Sequence, residues 1–147
     1  MSVDKTFVDT NVLIYAFTAD EPDKKEIALK TLDNSQPVIS TQVLKEFSNV
    51  LLKKGDIRPE SIKVIIAKIS EVADVVNEEL ALIFASFDIH ERYKYSFYDS
   101  LIIATALNSQ CQVLLSEDLQ DKQIIDGRLR IVNPFRFKDD VNVDAPS

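Results

Sequence analysis

Apolar residues run along this chain in two rhythms: short unbroken clusters, and longer stretches spaced by threes and fours. The clusters at 5–8, 37–40, 74–76, 112–116 and 129–132 have the length and apolar content of buried strands. Between them, positions 43, 44, 47, 50 and 51 line one face of a helix over 41–54, and Gly55 supplies its stop. Ile62, Ile65, Ile66 and Ile69 repeat that pattern in a helix from Pro59 to about 73. Further helices are predicted from about Asn11 to Phe17, from Pro22 to about 32, and from a cap at Asn77 to about 89. The stretch 96–108 is apolar almost all round, the mark of a buried central helix. Short apolar strands alternating with helices predict an α/β fold with a mainly parallel sheet covered on both faces. In such sheets ligands bind beyond the carboxyl ends of the strands.

Composition narrows the chemistry. At 147 residues and 46% apolar, the chain fits one domain with one core. It divides into a folded body over 1–137 and an acidic, polar tail over 138–147. No apolar run reaches the roughly 18 residues of a membrane span, and no basic-then-apolar signal segment is visible. The single cysteine, Cys111, has no intrachain partner, so a cytoplasmic setting is expected. Two glycines, Gly55 and Gly127, exclude both a G-x-G-x-x-G turn and a P-loop. One histidine, His90, excludes multi-histidine zinc sites. Carboxylates are what the chain has in quantity: 24 against 17 Lys and Arg.

Four acids stand out, each with an ordinary structural role beside the chemical one. Asp9 follows the first strand and can cap the next helix, with Asn11 as an alternative cap or an amide donor to the same place. Glu46 lies roughly 100° from the centre of its helix's apolar stripe, where most glutamates are simply solvated. Asp99 opens the central helix in a Ser96-x-x-Asp99 capping pattern, but an unpaired carboxylate against so apolar a helix is costly and calls for a cation. Asp118 follows the strand at 112–116, and in extended chain it shares a side with the Ser116 hydroxyl, while Glu117 points away. Asp121 reads as a solvated loop acid. If the four converge, their mutual repulsion needs a cation, and hard oxygen ligands select Mg²⁺ or Mn²⁺ with phosphate as co-ligand. That points to metal-assisted hydrolysis of a phosphoester.

The segments Phe7-Val-Asp9-Thr-Asn11-Val-Leu-Ile-Tyr-Ala-Phe17, Thr41-Gln-Val-Leu-Lys-Glu46-Phe, Tyr98-Asp99-Ser-Leu-Ile-Ile-Ala-Thr-Ala-Leu107, Leu115-Ser-Glu-Asp118-Leu-Gln-Asp121 and Asn133-Pro134-Phe135 occur in an order that resembles PIN-domain nucleases, specifically VapC-type toxins of toxin–antitoxin pairs. The resemblance spans Thr6 to about Phe135. It implies a three-layer α/β/α fold and a Mg²⁺- or Mn²⁺-dependent endoribonuclease. Asp9, Glu46 and Asp99 match the family's acidic triad, Asp118 its fourth acid, and Asn11 and Ser116 accessory positions. Asp9, Asp99 and Asp118 are thereby implied as metal ligands, and Glu46 as a ligand or a water-orienting group. Ser116 stands where threonine is common, and Asp121 has no secure counterpart. The resemblance further implies an RNA substrate, a cognate antitoxin and a homodimer.

A net charge of −7 argues against broad affinity for nucleic acid. Lys45, Lys53, Lys54, Arg58, Arg92 and Lys94 are the candidate phosphate contacts, and Tyr93, Tyr95 and Phe97 are candidates for base stacking. His90 reads as surface at a helix end, and Cys111 as a small buried apolar residue. Two other functions compete: a non-catalytic, partner-binding version of the same fold, and a phosphatase with an aspartate nucleophile. The latter needs a second Asp two residues after Asp9, where this chain has Asn11.

Overall fold

The structure, a computed structural model, describes residues 3–136. The predicted tail at 138–147 lies outside the described residues. Among the described residues six strands, β1 (Lys5–Val8), β2 (Gln36–Ser40), β3 (Asp74–Val76), β4 (Val113–Leu115), β5 (Ile124–Ile125) and β6 (Leu129–Val132), form one sheet in the order β3-β2-β1-β4-β6-β5. Every pairing is parallel except that of β5 with β6. Among the described residues six helices flank the sheet: α1 (Thr10–Phe17), α2 (Pro22–Asp33), α3 (Thr41–Lys54), α4 (Pro59–Val72), α5 (Leu80–Tyr93) and α6 (Phe97–Asn108). The architecture is a three-layer α/β/α sandwich.

Local chemistry explains most boundaries. Asp9 and Ser40 cap α1 and α3 from the ends of β1 and β2, so two strands turn into helices without a loop. Proline occupies the first turn of α2 and α4. Gly55 ends α3 at φ +78°, a left-handed conformation that suits glycine. Ser96 caps α6, accepting from Asp99 N. That helix is buried continuously from Ser100 to Leu107, as its all-round apolar sequence demands.

Two elements differ from expectation. Asn77 does not cap α5, which begins at Leu80 after Glu79. The carboxylate of Glu78 is drawn instead to the start of α3, where it accepts from the Thr41 hydroxyl and Gln42 N. The helix also runs to Tyr93, beyond the predicted end, and closes on Lys94 in the left-handed region. A sixth strand, β5, was not anticipated; two residues are too few to carry a periodicity signal.

The parallel register brings the carboxyl ends of β1, β2 and β4 to one edge. Val8 pairs with Leu115, and Asp9 N donates to Leu115 O at 3.0 Å, extending the ladder one residue past β1. Ser116 N does the same to Val132 O at 3.0 Å. Beneath this edge the core is fully buried, including Phe7, Phe47, Ile103 and Leu114. Among the described residues no helix is long and apolar enough to cross a membrane. Phe47, one residue from Glu46, is fully buried and meets Phe17 edge-on at 6.3 Å. Phe47→Ala is expected to lower unfolding stability by about 4 kcal/mol; a urea titration with an unchanged slope and a lower midpoint would show it.

Candidate active site

Asp9 sits at the tip of β1, only 8% exposed. Its Oδ1 accepts from Thr10 N at 2.7 Å, and its Oδ2 from Ser116 Oγ at 2.8 Å. Ser116 is fully buried, and its hydroxyl oxygen also accepts from Asp118 N at 3.2 Å and Leu119 N at 3.3 Å. One hydroxyl thus joins the ends of β1 and β4 and shapes the turn that carries Asp118. Asp118 Oδ2 accepts from Asn11 Nδ2 at 2.8 Å. Glu46, half-buried on α3, accepts from the Thr10 hydroxyl at 2.8 Å and from Gln42 Nε2 at 2.9 Å. Asp99 lies half-buried in the first turn of α6.

These elements bring Asp9, Glu46, Asp99 and Asp118 to the wall of one cavity of about 300 Å³, shared with Thr10, Asn11, Asn49 and Ile102. Burial raises the Asp9 pKa to about 6; hydrogen bonds from Thr10 and Ser116 oppose this, and the charges of Asp99 and Glu46 add to it. The Asp99 pKa is also raised, first by burial, against the Ser96 hydrogen bond and with the charges of Asp118 and Glu46. Among the described residues none of the four acids has a cationic partner; the ion pairs lie elsewhere. The cavity therefore holds unneutralised negative charge.

A divalent cation is the natural complement, and the donor set, all carboxylate and amide oxygen, is of the kind Mg²⁺ and Mn²⁺ take. Among the described residues, no three His, Cys, Asp or Glu side chains form a ready-made cage around one point. An open arrangement is compatible with Mg²⁺, which keeps several waters and binds through one or two carboxylates together with substrate phosphate.

Other sequence candidates sit apart from this cavity. Glu117 points away, as expected, to the Tyr15 hydroxyl at 2.7 Å and Lys24 Nζ at 2.5 Å. Asp121 is no solvated acid: it accepts from Asn133 N at 2.8 Å and ties down the end of β6. Arg92 pairs with Asp126, and Lys54 with Asp20. The Tyr93 hydroxyl accepts from Asp126 N at 2.9 Å, and Tyr95 donates to Gln123 at 2.5 Å, so both rings are anchored. His90 is exposed near the end of α5 and contacts Tyr95 O. Cys111 is buried, which pushes its thiol pKa up to about 11 and leaves it unreactive.

Sequence reasoning missed Thr10 and Gln42, which fix both oxygens of Glu46. The spacing of Gln42 and Glu46, four residues apart on one helix face, was the available signal. It also missed the Tyr15–Lys24–Glu117 group, which joins positions about a hundred residues apart that no local pattern connects.

The family model described as the PIN domain matches residues 6–124. Solved structures with the same fold include a toxin–antitoxin complex from Klebsiella pneumoniae, at 22% identity over 88% of this chain and 97% of that one, TM-score 0.69. Another is Mycobacterium tuberculosis VapC20, a toxin that cleaves the sarcin–ricin loop, at 20% identity over 77% and 91%, TM-score 0.63. A third is VapBC2 of Rickettsia felis bound to promoter DNA, at 16% identity over 88% and 99%, TM-score 0.64. At these identities the likeness is one of fold. No curated protein matches the sequence.

The raised Asp9 pKa has a consequence for stability. The folded state holds the Asp9 proton more tightly than the unfolded chain, so in metal-free protein this group's contribution is greatest below pH 3.8 and is lost as pH rises through about 6. In EDTA, the melting temperature of Asp9→Asn minus that of wild type is expected to climb between pH 4 and 6 and then level off. A difference independent of pH would contradict this.

Proposed function

The chain belongs to the PIN-domain family, and we propose that it is a Mg²⁺- or Mn²⁺-dependent endoribonuclease, the toxin of a toxin–antitoxin pair. The observation that carries this reading is the convergence of four acids from separate elements on one cavity with no cation beside them among the described residues. The likeness in fold to the Klebsiella complex and to VapC20 supports it.

When bound, a divalent cation supplies positive charge to the phosphate and acidifies water at neutral pH. Asp9 and Asp99 would hold it; their raised pKa values are those of groups waiting for a positive charge. Asp118, steadied by Asn11, would join directly or through water. Glu46 is held at both oxygens by Thr10 and Gln42, which suits it to orient the attacking water and accept its proton. The water oxygen bonds to phosphorus as the phosphoester P–O bond breaks; the leaving ribose oxygen departs with the bonding pair and takes a proton from solvent. Ser116 keeps Asp9 and the Asp118 turn in register behind the reacting groups.

The partners proposed with this function are an RNA substrate, a cognate antitoxin and a second copy of the chain, all in the cytoplasm. An exposed apolar stripe on α5, Leu80, Phe84 and Phe87, suits a protein partner. A phosphatase mechanism finds no support, because Asn11, at the position of the second acid, donates to Asp118 and carries no acidic proton.

Purified, antitoxin-free protein is expected to cut RNA from a mixed cellular pool in Mg²⁺ or Mn²⁺ and not in EDTA. Asp9→Asn and Asp99→Asn should each reduce the rate by about a hundredfold or more. Cleavage that persists in EDTA, or in both variants, would overturn the assignment. Metal-independent inertness of wild type towards the whole pool would favour a non-catalytic, partner-binding role.

A further inference from the structure

The tyrosines nominated for base stacking by sequence, Tyr93 and Tyr95, are locked by their hydroxyls into the fold. Tyr98 is different. It is 65% exposed, no partner holds its hydroxyl among the described residues, and it immediately precedes Asp99. Its ring is braced from behind by Phe97 at 5.5 Å and 75°, and Phe97 in turn by Phe87 at 5.3 Å.

Tyr98 lines a second cavity, of about 570 Å³, together with Gln42, Lys45, Leu101 and Glu78, whose carboxylate is engaged by the Thr41 hydroxyl and Gln42 N. Glu46 lines both this cavity and the acid cavity, so the two adjoin at that side chain. Lys45, exposed and without an ion-pair partner among the described residues, immediately precedes Glu46. The residues directly before two of the site's acids therefore line the same adjoining space, one supplying a π-face and the other a positive charge. The volume falls within the roughly 300–1,000 Å³ of small-ligand sites.

We propose that this cavity is a nucleotide subsite of single-stranded RNA beside the cleaved phosphodiester, with Tyr98 stacking the base and Lys45 pairing with that nucleotide's phosphate. The assignment rests on the nuclease reading for its position and deepens it by naming what recognises the strand. Charge limits how a strand could bind: in a chain at net −7, Lys45 is the one cation in a lining that also holds Glu46 and Glu78, so stacking on Tyr98 carries the affinity and Lys45 places the phosphate. Stacking tolerates any base because each presents a π-face, and an exposed, braced ring is the feature it requires.

The test uses ten-nucleotide single-stranded RNAs carrying one 5-iodouridine, moved position by position, photocross-linked to the full chain in Ca²⁺ and mapped by mass spectrometry. The expected cross-link is at Tyr98, from one preferred position of the strand. Tyr98→Ala should weaken binding of the same RNA about tenfold, and Tyr98→Phe should keep it within about twofold. Lys45→Met should flatten the slope of log affinity against log salt by about 0.7. Cross-links elsewhere, unchanged binding by Tyr98→Ala, or absence of RNA binding would overturn the subsite. So would a Tyr98→Ala protein that changes only its mass in solution, which would mark the face as a protein contact. Cross-linking does not depend on turnover: a Tyr98 adduct on a protein that cuts nothing would sink the nuclease reading alone, and cleavage with an unchanged KM in Tyr98→Ala would sink the subsite alone.

Discussion

The hydrogen bond from the Ser116 hydroxyl to Asp9 spans 107 residues of sequence and joins the ends of two neighbouring parallel strands. It forms under a demanding constraint, since a carboxylate 8% exposed at the tip of a buried strand must find donors or lose its charge. Ser116 and the amide of Thr10 meet that demand in part. The remainder is expressed as a pKa raised to about 6. Parallel pairing of β1 with β2 and β4 is what aligns this point with the start of α3, where Glu46 is presented. Everything proposed for the site follows from that alignment: four acids on one cavity, Asp9 and Asp99 with pKa values raised first by burial and then by neighbouring carboxylates, and no cationic partner among the described residues.

The segment after β4 shows how tightly the fold divides adjacent residues. Ser116 faces inward to Asp9, Glu117 faces α1 and α2, and Asp118 turns to Asn11. Lys24 holds Glu117 and stands over the rings of Tyr15 and Phe135 at 4.7 and 5.4 Å. Lys24 is thus taken up by Glu117, and the acid cavity stays negative. A lysine that neutralised Asp118 directly would compete with the metal ion that the proposed chemistry requires.

Much of this is legible in the sequence. Alternating short apolar runs and amphipathic stretches gave the order of the major elements, because burial on two faces leaves a strong pattern in strands such as Phe7-Val8 and Leu114-Leu115. The four acids were visible because each follows or opens such an element. Features that depend on long-range partners were not. Glu78 reaches across to the start of α3, and α5 begins only at Leu80, past Asn77. Tyr93 and Tyr95 looked available beside Arg92 and Lys94, but Asp126 and Gln123, about thirty residues away, claim their hydroxyls. Exposure, and a hydroxyl that no partner holds among the described residues, separate Tyr98 from them, and sequence carries no record of either.

The central claim is that the cavity is built for a divalent cation, and Mn²⁺ binding measured by electron paramagnetic resonance tests it most directly. Saturable loss of the free Mn²⁺ signal is predicted for the wild-type chain, with Asp9→Asn and Asp99→Asn each abolishing or greatly weakening it while remaining folded. Wild-type protein that leaves the signal untouched, or variants that bind Mn²⁺ as well as wild type does, would contradict the account.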